Sequence, residues 1–435
     1  MKSGQSLAFE SPDTIRATQE EGMRRTLAYA AANSPYYQQL FEENNITVEA
    51  IQTLEDLRTI PVTGKDDMQK HNWDFLCVPK SRVAEFTSTS GTLGRPVTIA
   101  LTNGDLERLA YNEYNSFTCA GTGADDVFQL MLTLDRQFMA GIAYYSGIRK
   151  LGAAVVRVGP GLPAMQLEAI ERLSPTVLVA VPSFLVRLIE FADANGIDLN
   201  KTSVRKVVCI GESIRKPDLS LNIVGSRIRN SWNVQLFGTY ASTEMQTAFT
   251  ECEHGVGGHL QPELIIVELL DDNDQPVPAG TPGEVTITTL GIEGMPLIRY
   301  KTGDICVAHD EPCKCGRHTM RLGPVIGRKQ QLIKFKGTTL YPQGIFEIIN
   351  EVSCVKDYVV EAETNALGLD ELRLYIVAEG PNEDDAVKTL AAAFQSRLRV
   401  VPQINFTSAE ALEKMQHGGG GRKARKFIDN RVSNS

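Results

Sequence analysis

The 435-residue chain has no stretch of about 18 uninterrupted apolar residues, the length a helix needs to cross a bilayer. Met1 to Asp13 also lack the apolar core of a secretory signal, and the two absences make the cytoplasm the expected location. No long run of lysine and arginine occurs, and 53 acidic residues outnumber 44 basic ones, for a formal net charge of −9. Nucleic acid and anionic membrane surfaces need clustered cations, so the expected partners are small molecules or other proteins. The eight cysteines are scattered over a long chain, which marks them as thiols or metal ligands and not as a disulfide frame. No internal repeat is present, and low complexity is confined to Gly418 to Gly421.

What is present is ordinary globular material, 42% apolar, with roughly two or three domains' worth of chain. Residues 13 to 45 have helical spacing, broken near Asn33-Ser34-Pro35. Short apolar runs then alternate with helical patterns: 127–132, 153–158, 176–181, 206–210 and 234–237, with helices over 166–173 and 183–195. Buried strands separated by helices predict a parallel sheet, because parallel neighbours need crossover connections. From about 262 the pattern turns to antiparallel hairpins around Asp271-Asp272-Asn273-Asp274. Past Gly327 come strands near 332–336, 356–362 and 372–378 and helices near 343–350 and 383–399. The fold class is therefore α/β: a large N-terminal domain of parallel sheet flanked by helices with a β-rich subdomain, then a small α+β C-terminal domain. The expected division is 1–328 and 329–435.

The strongest local signal is Thr87-Ser88-Thr89-Ser90-Gly91-Thr92-Leu93-Gly94-Arg95-Pro96. Its glycines let backbone N–H groups approach an anion, and its hydroxyls and arginine add donors for phosphate oxygens. It reads as a nucleotide phosphate loop, and not of the Walker form, since Gly-Lys-Ser/Thr is missing.

With this loop the chain resembles the adenylate-forming enzymes, and within them the phenylacetate-CoA ligase group. Matching blocks follow in order to the C-terminus. Gly211-Glu212 resembles the segment that lines adenine. Tyr240-Ala241-Ser242-Thr243-Glu244 resembles the Tyr-Gly-x-Thr-Glu block, in which the ring stacks on adenine, Thr contacts phosphate and Glu holds magnesium; Ala241 replaces the usual Gly. Pro296 to Asp304 is the most specific block, and by resemblance Asp304 binds the ribose hydroxyls. Gly327-Arg328, with Leu332 to Gly337 and Tyr341-Pro342, matches the junction where the small domain of relatives rotates between half-reactions, and Arg328 joins the nucleotide-binding set. The pivot falls at Gln330, where relatives usually carry a charge. Arg422 to Arg431 resembles Gly-Lys-Ala-x-Arg-Val-x-Asp, and alignment on Asp429 puts the catalytic lysine at Lys423. That lysine would stabilise charge developing as the carboxylate attacks the α-phosphate. The resemblance implies ATP, magnesium and coenzyme A as cofactors, a small mobile C-terminal domain, and a homodimer as a common assembly.

Cys252 and His259, with Cys313 and Cys315 some way on, form two short ligand pairs that can meet across a hairpin. Three thiolates and an imidazole suit a closed, structural tetrahedral zinc, and several relatives carry Cys and His at these places. His254 or His318 could stand in for His259. Phe138 to Gly147 falls where relatives bind the aromatic acid, with Phe138, Gly141, Tyr145 and Gly147 as candidate pocket residues. Ala140 and Ala143 replace expected glycines and narrow that pocket, and a buried Arg136 would favour an additional anionic group. The function expected is an AMP-forming ligase that joins an aryl or arylacetic acid to CoA through an acyl-adenylate. The rivals are transfer to an amine or carrier protein, and a non-catalytic binder of an acid or nucleotide.

Overall fold

Ser11 and Ser34 start the first two helices by the same means. Each side-chain oxygen accepts a backbone N–H of the first turn, from Thr14 at 3.2 Å and Tyr37 at 3.4 Å, and a proline occupies the first helical position. The expected break thus separates α1 (Pro12–Asn33) from α2 (Pro35–Glu43). The computed structural model describes residues 6–89, 97–331, 333–335, 338–365, 370–378, 383–417 and 424–431. After α3 (Lys65–Lys70), β1 (Glu85–Ser88) and β2 (Thr98–Leu101) pair antiparallel, with Ser88 opposite Thr98. Thr102 and Asp105 then form a capping box that opens α4 (Asn103–Cys119).

A repeating strand–helix order follows: β3 (Val127–Leu130), α5 (Met139–Leu151), β4 (Ala154–Arg157), α6 (Pro163–Leu173), β5 (Val177–Ala180), α7 (Pro182–Ala194), β6 (Lys206–Cys209), α8 (Ile223–Ser231) and β7 (Gln235–Ser242). The strands lie in the order β4-β3-β5-β6-β7 and are all parallel. Along β5, Leu178 and Ala180 pack with Leu167, Leu185 and Trp232 on the α6–α8 side. Val177 and Val179 pack with Phe117 of α4 and Tyr144 and Ile148 of α5. A strand covered by helices on both faces has to be apolar at every position, which is why Val177–Ala180 is an unbroken apolar run.

At β7 the pairing changes. Its first half bonds β6, with Cys209 opposite Gly238 as the last pair, while Thr239–Ser242 pair antiparallel with β8 (Thr247–Glu251). The sheet continues through β9 (Gly258–His259), β10 (Ile265–Leu270), β11 (Pro282–Thr289), β12 (Tyr300–His309) and β13 (Arg321–Leu322), in the order β7-β8-β9-β13-β12-β11-β10. The β-rich subdomain expected from the sequence is therefore edge-joined to the parallel strands in one mixed sheet. The anticipated hairpin is β10–β11.

The chain forms two units, residues 1–302 with 306–325, and residues 303–305 with 326–435. The second unit begins close to the anticipated 329 and also takes in Gly303–Ile305 of β12. It holds β14 (Gly327–Arg328), β15 (Ile333–Phe335), β16 (Thr338–Leu340), α9 (Pro342–Asn350), β17 (Val355–Thr364), β18 (Asp370–Ala378), α10 (Glu383–Leu398), β19 (Gln403–Phe406), α11 (Ala409–His417) and β20 (Phe427–Asp429). Its main sheet, β19-β18-β17-β20, packs a core that includes Ile345, Ile349, Leu374, Ile376 and Phe394. Among the described residues no helix is long and apolar enough to cross a membrane.

Candidate active site

Parallel strands end together, so the segments leaving β3, β5, β6 and β7 gather at one edge of the sheet, the usual place for a ligand crevice in α/β folds. Gly211, Glu212 and Phe138 lie in those segments, and Tyr240 to Ser242 on the end of β7 itself. Gly211, just past β6, has φ +71°, a conformation open to glycine. The carboxylate of Glu212 accepts from the Ser183 N–H at 2.9 Å and hydroxyl at 2.8 Å, at the start of the helix that leaves β5. The Ser88 N–H donates to the Gln137 carbonyl at 3.0 Å, tying the end of β1 to the segment leaving β3. Thr89 and Val97 close the stem of the segment expected to bind phosphate: Thr89 N–H donates to Val97 O, and Val97 N–H to Thr89 Oγ1, both at 3.0 Å. Ser90, Gly91, Thr92, Gly94 and Arg95 lie outside the described residues.

The Tyr240 block occupies the part of β7 beyond its pairing with β6. The Tyr240 ring stacks on Phe249 directly across the ladder, centroids 5.9 Å apart at 29°. Ala241 pairs with Ala248, and the Ser242 hydroxyl accepts the Met245 N–H at 3.2 Å. Thr243 and Glu244 are half-buried in the turn that follows. That turn closes at Gln246, φ +49°, whose carbonyl accepts from the buried Arg108 at 2.8 Å. Arg108 also donates to the Leu290 and Leu264 carbonyls and to Thr247 Oγ1, so a single guanidinium from α4 fixes the motif turn.

In the second unit, buried Asp304 accepts from Arg328 Nε at 3.0 Å, and β14 places the two opposite each other. The C-terminal block is described from Ala424, so Lys423 lies outside the described residues. Lys426 sits over the Tyr358 ring at 4.2 Å and 3.5 Å from Asp357, while Asp429 and Arg431 pair at 2.7 Å. Arg299, within the Pro296–Asp304 block, is nearly sealed from solvent. It pairs bidentately with Glu268 at 3.0 and 3.1 Å and donates to the Arg58 and Ile60 carbonyls, an anchoring task the sequence did not reveal.

The aromatic-acid segment begins at Phe138, the cap of α5, and continues on that helix. Its two glycines sit at close approaches. A Cβ on Gly141 would lie 2.4 Å from the Thr133 carbonyl, and one on Gly147 would lie 2.3 Å from the Cβ of Glu113 on α4. Tyr145 is half-buried with the Arg157 guanidinium 5.5 Å from its ring. Arg136 is exposed and 4.0 Å from Asp135, so the buried cation considered from the sequence is corrected: Arg136 supplies no buried site for a second anionic group. Glu113, invisible as a site residue in the sequence, is fully buried, and burial pushes its carboxyl up to about 8 despite a 2.9 Å hydrogen bond from Asn112 Nδ2.

The thiols and imidazole behave as the spacing suggested. One ligand atom from each of Cys252, His259, Cys313 and Cys315 lies within 4.8 Å of the others. Cys252 and Cys313 sulfurs are 3.7 Å apart, and Cys315 Sγ is 3.4 Å from His259 Nε2. His259 Nδ1 faces Thr319 Oγ1 at 3.2 Å, the arrangement that orients a ligating imidazole through its second nitrogen. Burial pulls the His259 pKa down to about 3, so the ring is neutral, as a metal ligand must be. His254 is outside the cluster and 3.6 Å from Glu253, and His318 bonds the Glu10 carbonyl at 2.8 Å. The choice among histidines falls on His259, and the donor set fits tetrahedral zinc.

Sequence reasoning also passed over a buried ion pair beside these motifs. Arg215 Nε and Nη2 donate to the two carboxylate oxygens of Glu251 at 2.5 and 3.0 Å, and Glu251 Oε2 accepts the Gly238 N–H at 3.0 Å. The hint available was an Arg four positions past Gly211 and a Glu next to Cys252.

Comparison with known proteins identifies the family and the fold. A family described as AMP-binding enzyme matches residues 27–293. The phenylacetate-coenzyme A ligase of Thermus thermophilus is 30% identical over 85% of this chain and 82% of its own. That of Aromatoleum evansii is 24% identical over 97% and 96%. A crystal structure of 2-hydroxyisobutyryl-CoA ligase in the postadenylation state shares the fold, with a TM-score of 0.81 at 22% identity over 96% of this chain and 89% of that one.

Proposed function

The chain belongs to the AMP-binding enzymes, and on that premise we propose that the acid it activates is an aryl or arylacetic acid. The protein is an ATP-dependent, AMP-forming acid–CoA ligase. One carboxylate oxygen of the acid attacks the α-phosphorus of ATP and pyrophosphate leaves. The CoA thiolate then attacks the carbonyl carbon of the acyl-adenylate, and AMP leaves. The observation that carries the assignment is convergence at one sheet edge: the stem of the phosphate loop, the Gly211–Glu212 turn and the Tyr240–Glu244 block all leave or adjoin the same ends of β3, β5, β6 and β7.

In this reading Ser88, Thr89 and Thr243 offer hydroxyls to phosphate, with Ser90, Gly91, Thr92, Gly94 and Arg95 completing the loop. Tyr240, Ala241, Ser242, Gly211 and Glu212 border the adenine, and Asp304 and Arg328 serve the ribose end. Magnesium held by Glu244 would supply charge neutralisation at the phosphates. Lys423 stabilises the charge that develops at the α-phosphate. Phe138 and Tyr145 are the side chains read as meeting the acid, while Gly141 and Gly147 admit the close packing that holds their helix in place. Cys252, His259, Cys313 and Cys315 are read as a structural zinc site; zinc there would tie the β8–β9 connection to the loop after β12. Cytoplasmic residence and a homodimeric assembly stay expectations. Transfer to an amine or carrier protein and a non-catalytic role are not favoured by the relatives.

The test is acid-dependent exchange of labelled pyrophosphate into ATP across aryl, arylacetic and aliphatic acids, followed by product analysis with CoA. Exchange and thioester formation strongest with arylacetic or aryl acids support the proposal. Preference for a short aliphatic acid would overturn the substrate class and leave the ligase chemistry intact.

A further inference from the structure

We propose that Arg215 and Glu251 are positioning residues for the nucleotide: their buried ion pair fixes the gap between the Gly211–Glu212 turn and the Tyr240 strand, the two walls assigned to adenine. The inference rests on the nucleotide-site reading given above. It starts from what the pair holds. Arg215 is 14% exposed at its side chain and Glu251 6%. The Glu251 carboxylate is shared between a bidentate guanidinium on one segment and the Gly238 N–H on the other. Gly238 comes two residues before Tyr240 in β7, and Arg215 follows Gly211–Glu212 after β6. One carboxylate therefore holds the approach to both walls in a single geometry.

The arginine is fixed from its remaining sides as well. Its Nη1 donates to the Leu219 carbonyl at 2.9 Å, and its backbone N–H donates to Ser213 Oγ at 3.1 Å. Its Nη2 packs so closely against Gly255 that a Cβ there would lie 2.0 Å away. Gly255 has φ +60° and belongs to the loop between Cys252 and His259, and Glu251 directly precedes Cys252. The thiol-and-imidazole loop is thus the backstop of the clamp.

A buried charge pair is a poor device for stability alone, because desolvation offsets much of the attraction and apolar side chains of similar size serve as well. What a bidentate guanidinium–carboxylate pair supplies that apolar packing does not is fixed distance and orientation. Here the distance is the one between two walls of the slot in which a flat base would stack.

The experiment separates positioning from general stability. Arg215→Met combined with Glu251→Gln removes both charges together, so neither is left buried alone. Gly255→Ala leaves both charges in place and displaces the guanidinium. For each variant we would measure AMP binding by calorimetry, which needs neither acid nor CoA, the KM values for ATP and for the best acid in pyrophosphate exchange, and the thermal midpoint. The expected result for the double variant is a midpoint within about 4 °C of the parent, AMP affinity and ATP KM worse by about tenfold or more, and an acid KM within about twofold. Gly255→Ala should show the same split between ATP and acid. Parent-like AMP binding in either variant, or equal losses for ATP and acid, would overturn the positioning role. Failure of the unaltered protein to bind AMP at all would overturn the nucleotide-site reading itself, and the proposal with it.

Discussion

Glu113 provides a sharp test of the packing between α4 and α5. Its carboxyl is fully buried, and burial lifts it from the ordinary 4.5 to about 8. The folded protein therefore keeps a proton that the unfolded chain releases. A carboxyl raised in this way contributes its full stability below about 4.5, and that stability is lost as the pH rises toward 8. Between pH 5 and pH 8 the two pKa values give a loss on the order of 3 kcal/mol from this one group. Glu113→Gln keeps the shape, still accepts from Asn112 and cannot ionise. Urea unfolding of parent and variant at pH 5, 6, 7 and 8 should show the parent losing stability relative to the variant by an amount of that order, with other titrating groups cancelling in the difference. Parallel pH profiles would refute the reasoning, since they would mean that Glu113 is charged in the folded state or reached by water.

Gly147→Ala should cost about 1–3 kcal/mol in the same unfolding assay, because its Cβ would lie 2.3 Å from that of Glu113 between two packed helices; an unchanged urea midpoint would contradict this. Zinc analysis of the purified protein should find close to one equivalent, falling below about half in Cys315→Ser; a parent with less than half an equivalent that takes up no added zinc would end the zinc reading. Lys423→Ala should slow acyl-adenylate formation by about 10²–10³-fold while leaving thioester formation from supplied acyl-adenylate far less affected, and unchanged adenylate formation would remove the catalytic role of Lys423.

The parallel strands were legible because residues such as Val177–Ala180 are covered on both faces and carry no polar position. The helix break at Ser34-Pro35 was legible because it is local capping chemistry. α4 is a different case: it buries Asp105, Arg108, Asn112 and Glu113, so its polar residues hid a central helix that an apolar stripe would have announced. The Tyr240 block stands out in the sequence as a motif, yet its position on the part of β7 that leaves β6 and pairs with β8 depends on where β6 stops, a property of the strands together.

By itself the sequence determined the class of structure and marked Cys252, Cys313 and Cys315 as members of one cluster, because each rests on periodicity or ligand spacing. Only the tertiary structure decided that His259 and not His254 faces the thiols, that Gly141 and Gly147 are helix contacts, and that Arg136 stays exposed. It also decided that Glu251 joins Arg215 to Gly238. The reason is common to all four. Partners far apart along the chain meet in space by the course of the backbone between them, and whether a polar side chain ends beside a thiol, a backbone or water is settled when that course is closed.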